Sequence, residues 1–194
     1  TYPTSDWRAG EVVADRYAPR VPRDFRAGTH ALRVNLDGAP VELGRVTVRE
    51  TERSFESPPI AYPRPANLGD RVALLGYDLS ASSIAPGETL TLTLYWRALA
   101  EMDTAYTVFT HLVAPDGSIS GQQDHAPVDG TYPTDLWLPG EVVVDVYHIP
   151  VSPDAAPGEH ALEVGMYVAQ NGLRLGLVGT EEDAVHLQTI VVTE

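Results

Sequence analysis

The chain is 194 residues long, 43% hydrophobic, with a formal net charge of −14 and no cysteine. No stretch approaches the roughly 18–20 consecutive apolar residues of a membrane span, and no N-terminal signal segment is visible. Disulfides, thiolate metal sites and cysteine nucleophiles are excluded, and the absence of stray thiols favours an exported protein.

The first 37 residues return at 131–167, at a constant offset of 130 and without a gap; 18 of the 37 positions are identical. Thr1-Tyr2-Pro3-Thr4 matches Thr131-Tyr132-Pro133-Thr134. Trp7, Gly10, Glu11, Asp15, Tyr17 and His30 match Trp137, Gly140, Glu141, Asp145, Tyr147 and His160. A second match joins Leu43–Glu50 to Leu187–Glu194 at an offset of 144, so the last hairpin is 14 residues shorter in the first copy. An internal repeat sets the unit of folding, and it predicts a tandem array whose first copy is incomplete, the chain beginning inside a copy. Residues 1–52 correspond to the C-terminal half of a domain. Residues 53–69, rich in proline, read as an extended linker. Residues 70–194 read as one complete domain.

Within that domain the pattern is β throughout. Thr89–Trp96 alternates strictly, with Leu90, Leu92, Leu94 and Trp96 on one face, which is the period of a half-buried strand. Segment 105–113 is apolar on both faces and reads as a central strand, and further strands are predicted at 71–77, 141–149, 160–168 and 185–192. The first copy lacks counterparts of the strands at 71–77, 88–97 and 104–113. Turn chemistry separates the strands at Pro86-Gly87, Pro115-Asp116-Gly117, Pro139-Gly140, Pro157-Gly158 and Asn171-Gly172, the last a hairpin signal. Short strands at this spacing predict an all-β, immunoglobulin-like antiparallel β-sandwich. Charge is split along the chain: residues 1–71 carry 11 Arg against 10 acids, residues 72–194 carry 2 Arg against 17 acids, and there is no lysine. Such an acidic surface argues against nucleic acid and anionic membranes as partners, since both require basic patches.

The segments LLGYDLSASSIAPGETLTLTLYWRAL, YTVFTHLVAPDG, YPTDLWLPGEVVVDVYHIPV and PGEHALEVGMY resemble a β-sandwich module. That module is found beyond the last membrane helix of bacterial, Chloroflexi-type protein-mannosyltransferase-like and arabinose-transferase-like glycosyltransferases, and in related surface proteins. The resemblance covers 70–194 and, for the half copy, 1–52. It implies an extracytoplasmic, cell-surface location and an accessory or spacer role beside neighbouring domains of a parent protein. The catalytic part of such enzymes spans the membrane many times and is not present in these residues, so no catalytic residue is carried over and no direct membrane insertion is expected.

The residues themselves give little chemistry. Glu141 and Asp145 lie an even step apart on one strand, about 13 Å along it, too far for a glycosidase pair on their own. Glu141 follows Pro139-Gly140 and is expected to tie that turn or a nearby amide. No HExxH, G-x-S-x-G or glycine-rich phosphate loop occurs. The expectation is therefore no enzymatic activity and no cofactor, with two binding readings kept open. In the first, a carbohydrate site uses Tyr132, Trp137, Glu141 and Asp145, with a polysaccharide as ligand. In the second, calcium binds the loop carboxylates Asp116, Asp124, Asp129 and Asp135, since calcium takes six to eight oxygen ligands. Against the first, large aromatics dominate core energetics, and Trp137 reads as the buried plug of a crossing loop.

Residues 1–52 are not expected to stand alone, because a sheet with one bare apolar face is unstable in water. The half copy can pack on the complete sandwich of its own chain or pair with a second half copy about a two-fold axis. A linker at 53–69 would favour the second, a homodimer through residues 1–52.

Overall fold

The computed structural model describes residues 3–194 except 15, 18, 20, 23, 24 and 37. The chain divides into two compact units, Thr1–Glu50 and Thr51–Glu194. Both are β, and the fold is all-β and sandwich-like.

The first unit holds one antiparallel hairpin, β1 (Gly28–Leu36) and β2 (Ala39–Val48), preceded by a 3-10 turn at Thr4–Asp6. The second unit carries nine strands: β3 (Tyr62–Leu68), β4 (Val72–Leu79), β5 (Ser83–Ile84), β6 (Thr89–Ala98), β7 (Tyr106–Val113), β8 (Ile119–Gln122), β9 (Val142–Pro150), β10 (Gly158–Val168) and β11 (Val185–Val192). They form a four-stranded sheet, β3-β4-β6-β9, and a five-stranded sheet, β5-β11-β10-β7-β8. All pairings are antiparallel except β5 with β11, a two-residue parallel contact at the sheet edge.

The period-2 pattern explains the core. In β6, Leu90, Leu92, Leu94 and Trp96 are fully buried. In β9, Val143, Tyr147 and Ile149 point the same way. They meet Leu162, Val164 and Met166 of β10 and Ile190 of β11 in one apolar cluster. The predicted strands at 71–77, 89–96, 105–113, 141–149, 160–168 and 185–192 appear as β4, β6, β7, β9, β10 and β11. Asn171-Gly172 does form a turn, with the Val168 amide donating to Leu173 O at 2.8 Å. The segment after this turn is not a continuous strand, since 173–177 contributes only isolated bridges to Tyr167 and Leu68.

Residues 53–69 are not a linker. They belong to the second unit and supply β3, the edge strand paired with β4 from Tyr62↔Tyr77 to Leu68↔Val72. Proline cannot donate to a central ladder but is tolerated on an edge strand, so Pro63 and Pro65 fit where β3 lies. Three contacts bind the segment further. Ser54 bridges Val142, the Tyr62 and Tyr77 rings stack at 5.2 Å, and Arg64 Nε donates to His186 O of the other sheet at 2.9 Å. The boundary accordingly falls between residues 50 and 51, and a homodimer through residues 1–52 loses the linker that would favour it.

The repeated stretches share local geometry. The 3-10 turns at Thr4–Asp6 and Thr134–Leu136 correspond, and Gly10 and Gly140 both take φ 86°. β1 and β10 each start at a glycine, and each ladder shifts register at the matching place, Leu32/Arg33 and Leu162/Glu163. The 14-residue difference is the connection: 37–38 joins β1 to β2, and 169–184 joins β10 to β11.

Gly76 records how closely β3 is packed. A Cβ there would lie 2.5 Å from Tyr62 O and 2.9 Å from Pro63 Cα. Gly76→Ala should therefore prise β3 from β4 and cost about 1–3 kcal/mol, the usual range for overpacking. Urea denaturation of the full chain measures this; an unchanged midpoint would mean that β3 is not held there.

Candidate functional site

The repeated residues that could carry chemistry converge on one end of the second unit, where the loop 124–141 crosses from β8 to β9. Trp137 sits at its centre, 0% exposed, with Nε1 donating to Tyr132 O at 3.0 Å. The loop is pinned around it. Thr134 Oγ1 accepts from the Tyr106 amide and donates to Thr104 O, and Gly130 N donates to Ala126 O. Trp137 is the plug of a crossing loop, and no ligand can stack on it.

Glu141 and Asp145 are each 1% exposed. Their even spacing places them on one face of β9, and that face is the interior. A buried charge is tolerated only with partners, and Glu141 has several. Its Oε2 accepts from Arg53 Nη1 at 2.5 Å and from the Leu138 amide at 2.8 Å, and its Oε1 accepts from the Tyr132 hydroxyl at 2.7 Å. Arg53 also donates to the Tyr132 hydroxyl at 2.5 Å and to Leu136 O at 3.1 Å. Burial and the adjacent Glu141 push the Tyr132 hydroxyl well above its ordinary pKa. The carboxylate ties the Pro139-Gly140 turn, and Glu11 makes the same bond with the Arg8 amide at 3.0 Å in the first copy.

Asp145 accepts from the Val128 amide at 2.9 Å and from the Tyr147 hydroxyl at 2.5 Å. Burial lifts its carboxyl above the usual aspartate range, and these two hydrogen bonds offset the rise only in part. Val128 has φ 55° and Asp129 φ 49°. A β-branched residue in the left-handed region is strained, and the Asp145 bond is one of the contacts that hold it. The His125 ring stacks on Tyr147 at 4.2 Å, nearly parallel. Its Nε2 is buried and lacks hydrogen-bond geometry, although Asp129 Oδ1 lies 3.5 Å away.

The carbohydrate constellation is thus brought together, but inside the protein. Of Tyr132, Trp137, Glu141 and Asp145 only Tyr132 is partly exposed. It borders a shallow depression lined by Thr51, Glu52, Ser54, Val128, Thr131 and, at its base, the nearly buried Glu141. The groove reading is corrected on this point, because the loop folds Trp137 and both acids into the core. Tyr2 and Asp15, the first-copy partners of Tyr132 and Asp145, lie outside the described residues.

The calcium candidates are scattered. Asp116 accepts from both the amide and the hydroxyl of Ser118, which hold its carboxyl below the usual range. Asp124 faces His111 at 3.5 Å, Asp129 faces His125, and Asp135 lies in the 3-10 turn at 134–136. Among the described residues no three of His, Asp and Glu form a group that could hold a metal. The fold also creates a pair that no motif announces: Ser120 Oγ lies 2.6 Å from His160 Nδ1, both residues buried. His160 Nε2 donates to Ala156 O at 2.9 Å, and His30 repeats that bond to Arg26 O at 2.8 Å. The histidine pins the start of the hairpin in both copies.

Arg53 is the residue that sequence reasoning missed. Its only signal is indirect: a glutamate on the inward face of a strand requires a cation from elsewhere in the chain.

No family model matches the chain, and no curated protein sequence matches it. Among solved structures, the crystal structure of the C-terminal domain of wzt is similar, with a TM-score of 0.46 and 12% identity over 70% of this chain and 83% of that chain.

Arg53→Ala should strand Glu141, whose side chain is 2% exposed, without its cation. Removing one partner of a buried pair costs about 3–5 kcal/mol; with the Arg53 side chain 19% exposed, the low end is expected. The double variant Arg53→Met/Glu141→Gln should cost less than Arg53→Ala alone. Chemical denaturation of both variants gives the comparison, and equal stability of Arg53→Ala and the parent chain would contradict the assignment.

Proposed function

We propose that this chain is a non-catalytic extracytoplasmic β-sandwich module, an accessory or spacer unit of a membrane glycosyltransferase or cell-surface protein. One observation carries the reading. Trp137, Glu141 and Asp145, which recur in sequence at Trp7, Glu11 and Asp15, are at most 1% exposed in the second unit. Their hydrogen bonds go to the chain itself. Residues that recur for a fold role need to be buried and bonded internally; residues that recur for a ligand need to be open.

Further support comes from the cysteine-free composition, which suits an oxidising compartment, and from the likeness of residues 70–194 to the glycosyltransferase-associated module. Among the described residues no helix is long and apolar enough to cross a membrane.

The reading predicts no turnover of aryl glycosides or esters above a heat-inactivated control, and no saturable binding of bacterial polysaccharides by calorimetry up to millimolar concentration. Turnover abolished by Glu141→Gln, or polysaccharide binding abolished by Tyr132→Ala in a variant that still folds, would refute it.

A further inference from the structure

The same sequence is buried in one copy and exposed in the other. Leu162 is 0% exposed and its match Leu32 is 38%; Val185, Leu187 and Ile190 are 2%, 7% and 0%, while Val41, Leu43 and Val46 are 51%, 63% and 43%. The backbone differs in parallel. Residues 142–150 form β9 because β6 pairs with them from Thr89↔Pro150 to Arg97↔Val142. Among the described residues of 12–20, none is in a strand. Likewise β10 pairs with β7 from Ala161↔Val113 to Val168↔Tyr106, whereas β1 pairs with β2 and with no other strand among the described residues.

The second unit therefore shows what covers this face. The missing partner is the first half of a sandwich: a β6-like strand for residues 12–20, a β7-like strand for the open edge of β1, and the apolar face they share. The chain contains two second halves, 1–50 and 131–194, and one first half, 51–130. That first half is already engaged with 131–194. Any assembly made from this chain alone leaves one second half per chain without its complement.

We propose that residues 1–50 are the docking face for a first-half segment of the same build as residues 51–130. Docking sets a β6-like strand against residues 12–20 and a β7-like strand against the open edge of β1, and closes a second sandwich with the core seen in the first. Recognition is by backbone pairing to β1 and to residues 12–20, and by burial of Leu32, Val41, Leu43 and Val46.

The test uses the full chain with a second copy of its own residues 51–130 joined ahead of Thr1, reproducing the Gly130–Thr131 junction. Limited trypsin digestion, mapped by mass spectrometry, reports cleavage after Arg16 and Arg26. In the parent chain both sites should be cut quickly and the protein should sediment as a monomer. In the fusion, cutting should slow by roughly tenfold or more, as expected when local opening becomes the limiting step. The same fusion with Leu92→Asp and Leu94→Asp in the added segment should be cut like the parent. Unchanged cleavage in the fusion would overturn the proposal. So would a dimer of the unmodified chain in which Arg16 and Arg26 are already protected, which would show that two copies of this chain cover each other.

Discussion

A strand exists only where another strand takes its hydrogen bonds, and the pairing of β6 with β9 is the constraint on which the rest of this protein depends. It fixes which side of β9 faces inward. That choice sends Glu141, Val143, Asp145, Tyr147 and Ile149 into the core together. Two carboxylates so placed must be satisfied from within. Arg53, Tyr132 and the Leu138 amide serve Glu141, and Tyr147 and the Val128 amide serve Asp145. The loop that supplies these donors closes over Trp137.

This arrangement explains why residues that look like a sugar groove on one strand face are turned into the core. Aromatic rings and acids on one strand face suggest a sugar groove when exposure is unknown. Burial inverts the meaning. A carboxylate surrounded by a guanidinium, a hydroxyl and an amide is a fixed tie between segments distant in sequence, 53, 132, 138 and 141. Such networks add less to stability than an apolar core of the same volume, but they are costly to break. The strained Val128, held by Asp145, belongs to the same tie.

Much of the fold is legible in the sequence because alternation is a direct imprint of a two-sided sheet. Thr89–Trp96 and 185–192 are the clear cases, and the repeat alone exposes the correspondence of β1–β2 with β10–β11. The misses have physical reasons. Pro63 and Pro65 argue against a central strand, and nothing local distinguishes an edge strand from a linker; only the close approach of Tyr62 and Pro63 to Gly76 does. The two-residue β5 and four-residue β8 are too short for any periodicity. Arg53 is invisible because its partner lies 88 positions away. The burial of Trp137 is expected because large aromatics dominate core energetics; the placing of both acids inside with it depends on which face of β9 meets the core, and a sequence pattern containing Glu and Asp gives no reason to choose that face.

The central claim is that a strand complement, not local sequence, decides the state of the repeated segment. Amide hydrogen exchange on the full chain tests it most directly, because residues 12–19 and 142–149 share much of their sequence but not their surroundings. The account predicts protection across 142–149 approaching that of global unfolding, and exchange at Val12, Val13, Ala14 and Arg16 close to the unprotected rate. Equal, strong protection in both segments would contradict it.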